Sequence, residues 1–125
     1  MLIEHTHFKH VANLIQEARK KAYLAVNREL IDLYWSIGQY LSEQTKAQAW
    51  GKAVVQELAN YLATTLQGQK GFSAQNLWRM KQFYEFYHAS PNLSTLLREI
   101  PWSHNMAILS SADSAEEKEF YIRWP

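Results

Sequence analysis

The sequence predicts an all-α fold: a single domain of 125 residues with one long N-terminal helix and a helix-turn-helix-like bundle behind it. Three observations predict this. Apolar residues recur at steps of three and four from Val11 to Leu41. Gly68 and Gly71 bracket a short turn between two further helical stretches. Ser73, with Phe72 before it and Leu77 after it, carries a helix-start signature.

The first element covers about residues 8–43. Its stripe comprises Val11, Leu14, Ile15, Ala18, Ala22, Val26, Leu30, Leu33, Tyr34, Ile37 and Leu41. One continuous helix accounts for it, as do two helices joined near Asn27. A continuous helix would run roughly 50 Å at about 1.5 Å per residue. Such a rod has more apolar stripe than a domain this small can cover. The excess is expected to meet another chain, as a homodimer paired through this helix, or a missing part of the same chain. Gly38 costs a helix about 1 kcal/mol relative to alanine, so it marks either a close approach or a bend.

The second helix runs from about Gly51 to Leu66 on Val54, Val55, Leu58, Leu62 and Leu66. After the turn, Ser73 is the expected N-cap of the third helix, and Phe72 and Leu77 form its hydrophobic staple. At about 100° per residue, Leu77, Met80, Tyr84 and Tyr87 share one face, with Phe83 at its edge. Gln75, Trp78, Arg79 and Gln82 fall on the other. Asn76 sits on the flank of the buried side and is expected to bond backbone. The helix-turn-helix-like region thus spans about residues 51–88. Ser90-Pro91-Asn92 ends it, and short helices fill residues 92–124. Leu93 to Ile100 forms one turn, Pro101 interrupts, and Ser103 caps a helix of about seven residues through Leu109. Asp113 and Glu116 have the spacing of a capping box for a last helix. Its apolar end, Phe120, Tyr121, Ile122 and Trp124, reads as a chain cut short or as a segment docked on its own body.

Composition bounds the chemistry. Apolar residues make up 47 % and aromatics 14 %, with five Trp and seven Tyr, so a real core must form. There is no cysteine, which excludes disulfides and thiolate metal sites and suits a reducing compartment. No apolar run approaches the roughly 18 residues of a membrane span, and the N-terminus lacks the layout of a secretion signal. A cytoplasmic protein is expected. The net charge is +1, distributed unevenly. Residues 51–90 carry Lys52, Lys70, Arg79 and Lys81 against Glu57 and Glu85, a balance of +2, and residues 91–125 sum to −2.

Nothing in the pattern builds a catalytic centre. Ser103 beside His104 lacks an orienting acid with any evident link, since Glu99 is merely nearby, and a cap explains the serine better. His5, His7 and His10 have no further ligand at helical spacing, so no metal site is expected. Glu116, Glu117 and Glu119 fit a capped, solvated helix better than a cation site. Arg19-Lys20-Lys21 reads as the wet face of a long helix, with phosphate contact as the sharper option. The residues best suited to recognition lie on the third helix. Arg79, Gln75 and Gln82 match base edges in a major groove, Trp78 suits stacking on an unpaired base, and Lys81 adds charge. The plainer reading is a solvated face with a tryptophan packed on a neighbour.

Further pieces in order are Asn27-Arg28-Glu29-Leu30-Ile31, Leu33-Tyr34-Trp35-Ser36-Ile37-Gly38 and Trp50-Gly51-Lys52. Gly71-Phe72-Ser73-Ala74-Gln75-Asn76-Leu77, Met80, Phe83-Tyr84, Pro101-Trp102-Ser103-His104 and Phe120-Tyr121 follow. In these the chain resembles the N-terminal domain of YhcG-like proteins, bacterial proteins whose C-terminal part is a PD-(D/E)XK-type nuclease. The resemblance covers nearly the whole chain. It implies a helical module that brings the nuclease to nucleic acid, with DNA the expected target, and a nuclease domain or partner. It does not imply cutting by this chain, because the catalytic carboxylates and lysine belong to the C-terminal part. No enzyme activity and no cofactor are expected here. The alternative is a homodimerisation or protein-interaction module built on the first helix.

Overall fold

The structure is a computed structural model and describes residues 2–111. Five helices follow one another: α1 (Leu2–Ala47), α2 (Lys52–Thr65), α3 (Ala74–Tyr87), α4 (Pro91–Leu97) and α5 (Trp102–Ser111). No strand occurs among the described residues, and the fold is all-α. The expected last helix, with Asp113, Glu116 and the aromatic end, lies outside the described residues.

α1 is one continuous helix of 46 residues, so it does not break at Asn27 or bend into two pieces. At 1.5 Å per residue it is about 70 Å long. Its apolar stripe resolves into two rows. Ile31, Tyr34 and Leu41 are buried, and Gly38 falls in the same row. Val26, Leu30, Leu33 and Tyr40 form a second row, offset by about 100°, and stay 41–59 % exposed. The first row packs on α3. Gly38 is the point of closest approach: a Cβ there would overlap the carbonyl of Met80 and crowd Tyr84. The glycine therefore serves contact between helices.

α3 forms the centre of the core. Leu77, Met80, Phe83 and Tyr87 repeat at steps of three and four and are wholly buried. Val55 and Ala59 of α2, Leu93 and Leu97 of α4, and Ile108 of α5 close around them. Trp102 at the start of α5 lies 4.8 Å from the Tyr34 ring and 5.1 Å from Phe83, centroid to centroid. Such aromatic contacts add about 0.5–1.5 kcal/mol beyond burial. α5 begins at Trp102, so Ser103 lies inside the helix and does not cap it.

Polar contacts tie the α4–α5 corner to α1. Asn27 Nδ2 donates to the carbonyls of Arg98 and Ile100, each at 2.9 Å. Arg28 pairs with Glu99 at 2.8 Å and Arg98 with Asp32 at 2.9 Å. These ion pairs are nearly half exposed and so individually weak. Asn105 is fully buried, and its Nδ2 donates to the carbonyls of Leu97, Ile100 and Pro101. It satisfies the carbonyls where α4 ends.

Before Asn27 the picture changes. From His5 to Tyr23 every residue of α1 is exposed. Phe8, Val11, Leu14 and Ile15 are 51–67 % exposed although they continue the apolar row. This half of the helix projects from the body by about 30 Å.

Candidate nucleic-acid interface

The start of α3 is built as its sequence predicts. Ser73 is extended at φ −67°, ψ 159°, and its Oγ accepts from the Asn76 N–H at 3.2 Å. Phe72 packs at the core edge, edge-on to Tyr34 with ring centroids 6.5 Å apart. Asn76 donates to the Gly71 carbonyl and accepts from Trp102 Nε1 at 2.9 Å, so it holds the turn to α5. Gly71 takes φ +103°, which a β-carbon disfavours. The link from α2 to α3 spans residues 66–73, longer than the three- to four-residue turn of DNA-binding helix-turn-helix units.

The five predicted contact residues separate into two groups. Gln75, Arg79 and Gln82 are exposed at steps of four and three along one line of α3. Phe86 continues that line and is 36 % exposed. Trp78 and Lys81 lie to one side. Trp78 is half-buried against the core edge. Lys81 Nζ sits 2.9 Å from Glu85 Oε1 and 5.4 Å from the Trp78 ring. Glu85 also accepts from Ser42 Oγ at 2.9 Å. Burial alone would raise the Glu85 pKa. The bonds from Lys81 and Ser42, with the charges of Lys81 and Lys46, outweigh it and hold the carboxyl below its ordinary value. Lys81 is thus spent on an internal pair.

A groove of about 840 Å³ runs beside the line. Arg79, Gln82 and Phe86 form one wall, and Ser103, Met106 and Ser110 of α5 form the other. Sequence reasoning missed Phe86 and the α5 wall. Phe86 was legible, since it stands seven residues after Arg79 on the same face. The α5 wall depends on how the α4–α5 corner folds back, which no local pattern announces.

Charge is arranged differently from the contact residues. The half of α1 before Leu24 holds Lys9, Arg19, Lys20 and Lys21 against Glu4 and Glu17, a balance of +2. His5, His7 and His10 lie on the same segment, and no group of three or more metal-binding side chains occurs among the described residues. His104 is half-buried within α5. No helix among the described residues is long and apolar enough to cross a membrane.

Comparison with known proteins gives one match. The sequence model described as the DUF1016 N-terminal domain matches residues 10–124. No curated protein and no solved structure matches.

Proposed function

The chain belongs to the DUF1016 N-terminal domain family, which is the YhcG-like family it resembles, and from that membership we propose that it is a nucleic-acid-targeting module for a nuclease part or partner. One observation carries the reading. α3 presents Gln75, Arg79 and Gln82 in one exposed line, while the reverse face of the same helix is wholly buried. A helix fixed so firmly adds little backbone ordering cost on binding, and only the side chains must be immobilised. Arginine suits the paired acceptors of guanine and glutamine those of adenine, so such a line fits a duplex major groove. The projecting basic half of α1 supplies long-range attraction to phosphate. Trp78 and Lys81 stand outside this contact line.

The test is fluorescence anisotropy on single-stranded, duplex and branched probes at low and moderate salt. The expected result is duplex binding that weakens steeply with salt. Arg79→Ala should reduce affinity by about 1–3 kcal/mol if the guanidinium meets a base edge. Lys81→Ala should change it much less. Absence of binding to every probe at low salt, or equal binding by Arg79→Ala, contradicts the proposal. The alternative, a module for homodimerisation or protein interaction, rests on a different element, the uncovered apolar row of α1.

A further inference from the structure

The largely open row of α1, of which Ile37 is already half-buried by the body, has a symmetry that bears on what covers it. Its members are Phe8, Val11, Ile15, Ala18, Ala22, Val26, Leu30, Leu33, Ile37 and Tyr40. The steps between them are 3, 4, 3, 4, 4, 4, 3, 4 and 3, which read the same in both directions about residue 24. A row with this property matches itself when a second helix is laid against it head to tail. We infer that a second copy of this chain covers it, in an antiparallel pair whose two-fold axis passes level with Leu24.

Each member then meets a partner suited to it. Phe8 faces Tyr40, Val11 faces Ile37, and Ile15 faces Leu33. Ala18 faces Leu30 and Ala22 faces Val26, so small residues oppose large ones around the axis and the helices can approach closely. The interface is isologous, as a closed dimer requires. The outer steps alternate between three and four, as in a coiled-coil seam, and the three successive fours from Ala18 to Leu30 locally unwind it around the axis.

The body of the molecule agrees with this register. Beside the C-terminal half of the row lies an apolar groove of about 470 Å³ between α1 and α2. Leu33, Ile37 and Tyr40 form one wall, and Leu58, Leu62 and Leu66 form the other. The pairing lays Phe8, Val11 and Ile15 of the second copy along it. The projecting half of one chain thus covers the open groove of the other, and the reverse holds by symmetry.

The area is sufficient. Phe8, Val11, Ile15, Val26, Leu30, Leu33 and Tyr40 are each 41–67 % exposed. At roughly 100 Å² apiece they offer on the order of the 800 Å² per partner that a standard stable interface buries. The basic side chains Lys9 and Lys20 point away from the seam and remain outside it.

The chain has no cysteine, so introduced thiols report the register cleanly. Sedimentation equilibrium should give twice the 14.6 kDa chain mass. Ile15→Glu lies clear of the body, so it should give a monomer with unchanged far-ultraviolet circular dichroism. Single variants Ile15→Cys and Leu33→Cys are then treated with a short bifunctional maleimide. The pairing predicts a cross-linked dimer when the two variants are mixed and little when either is alone. A wild-type monomer at several hundred micromolar, a dimer that survives Ile15→Glu, or efficient cross-linking of Ile15→Cys with itself would each overturn the inference. These outcomes are independent of Arg79, which lies on another element.

Discussion

Gly38 concentrates the energetics of the fold in one position. In an exposed helix its replacement by alanine would gain about 1 kcal/mol of propensity. Here the added carbon meets the backbone carbonyl of Met80, which has no side-chain freedom to yield. Overpacking of this kind costs about 1–3 kcal/mol and outweighs the gain. Gly38→Ala should therefore lower the thermal midpoint, and an unchanged or raised midpoint would mean that α1 and α3 are farther apart. Tyr87 gives a pH-dependent counterpart. Burial pushes its phenol up to about 12 from an ordinary value of 10.0. The folded state therefore favours the neutral phenol. Stability from this group is complete below pH 10 and is lost as pH rises from 10 toward 12, because the unfolded chain ionises first. The hydroxyl has no hydrogen-bond partner among the described residues. Tyr87→Phe should therefore keep stability near neutral pH and flatten its alkaline decline. Urea titrations of both proteins at pH 8 and 11 measure this.

At the scale of elements, local chemistry was legible where it is self-contained. Ser73, Phe72 and Leu77 announced α3, and the structure places the cap bond where the spacing requires it. Phe72 is only partly buried, so Phe72→Ala should cost about 2 kcal/mol, below the roughly 3–5 kcal/mol of a fully buried ring. A melt of the mutant that matches the wild type would show that Phe72 does not anchor the helix start. The stripe of α1 was legible as apolar, but its division into two rows was not. Both rows are apolar, and only the approach of α3 at Gly38 selects which one is buried. α5 starts earlier and ends later than the expected helix, at Trp102 and Ser111, and its start has a similar reason. Trp102 is drawn between Tyr34 and Phe83 and bonds Asn76, so the helix starts on it and Ser103 loses its capping role. Asn27 and Asn105, which hold the α4–α5 corner, carry no sequence signature because Asn27 reaches carbonyls 71 and 73 residues away and Asn105 reaches back four to eight residues across the break at Pro101.

The whole molecule presents two separate candidate surfaces. The body fixes α3 and leaves the line of Gln75, Arg79 and Gln82 outward, whereas the projecting half of α1 carries both an apolar row and a balance of +2. The candidate contact face was half legible from the sequence. Angular position groups Gln75, Arg79 and Gln82 with Trp78, and Lys81 joins them for its charge; in the fold the first three are exposed and the other two half-buried. Lys81 turns to Glu85 because Ser42 on α1 already steadies that carboxylate, and this depends on how two distant helices meet. The most direct measurement is a titration of the isotopically labelled chain with duplex DNA, followed residue by residue by amide chemical shifts. The largest shifts are expected at Gln75, Arg79 and Gln82, with smaller changes at Lys9 and Arg19 to Lys21. Shifts confined to α1, or none at saturating DNA, would contradict recognition by α3.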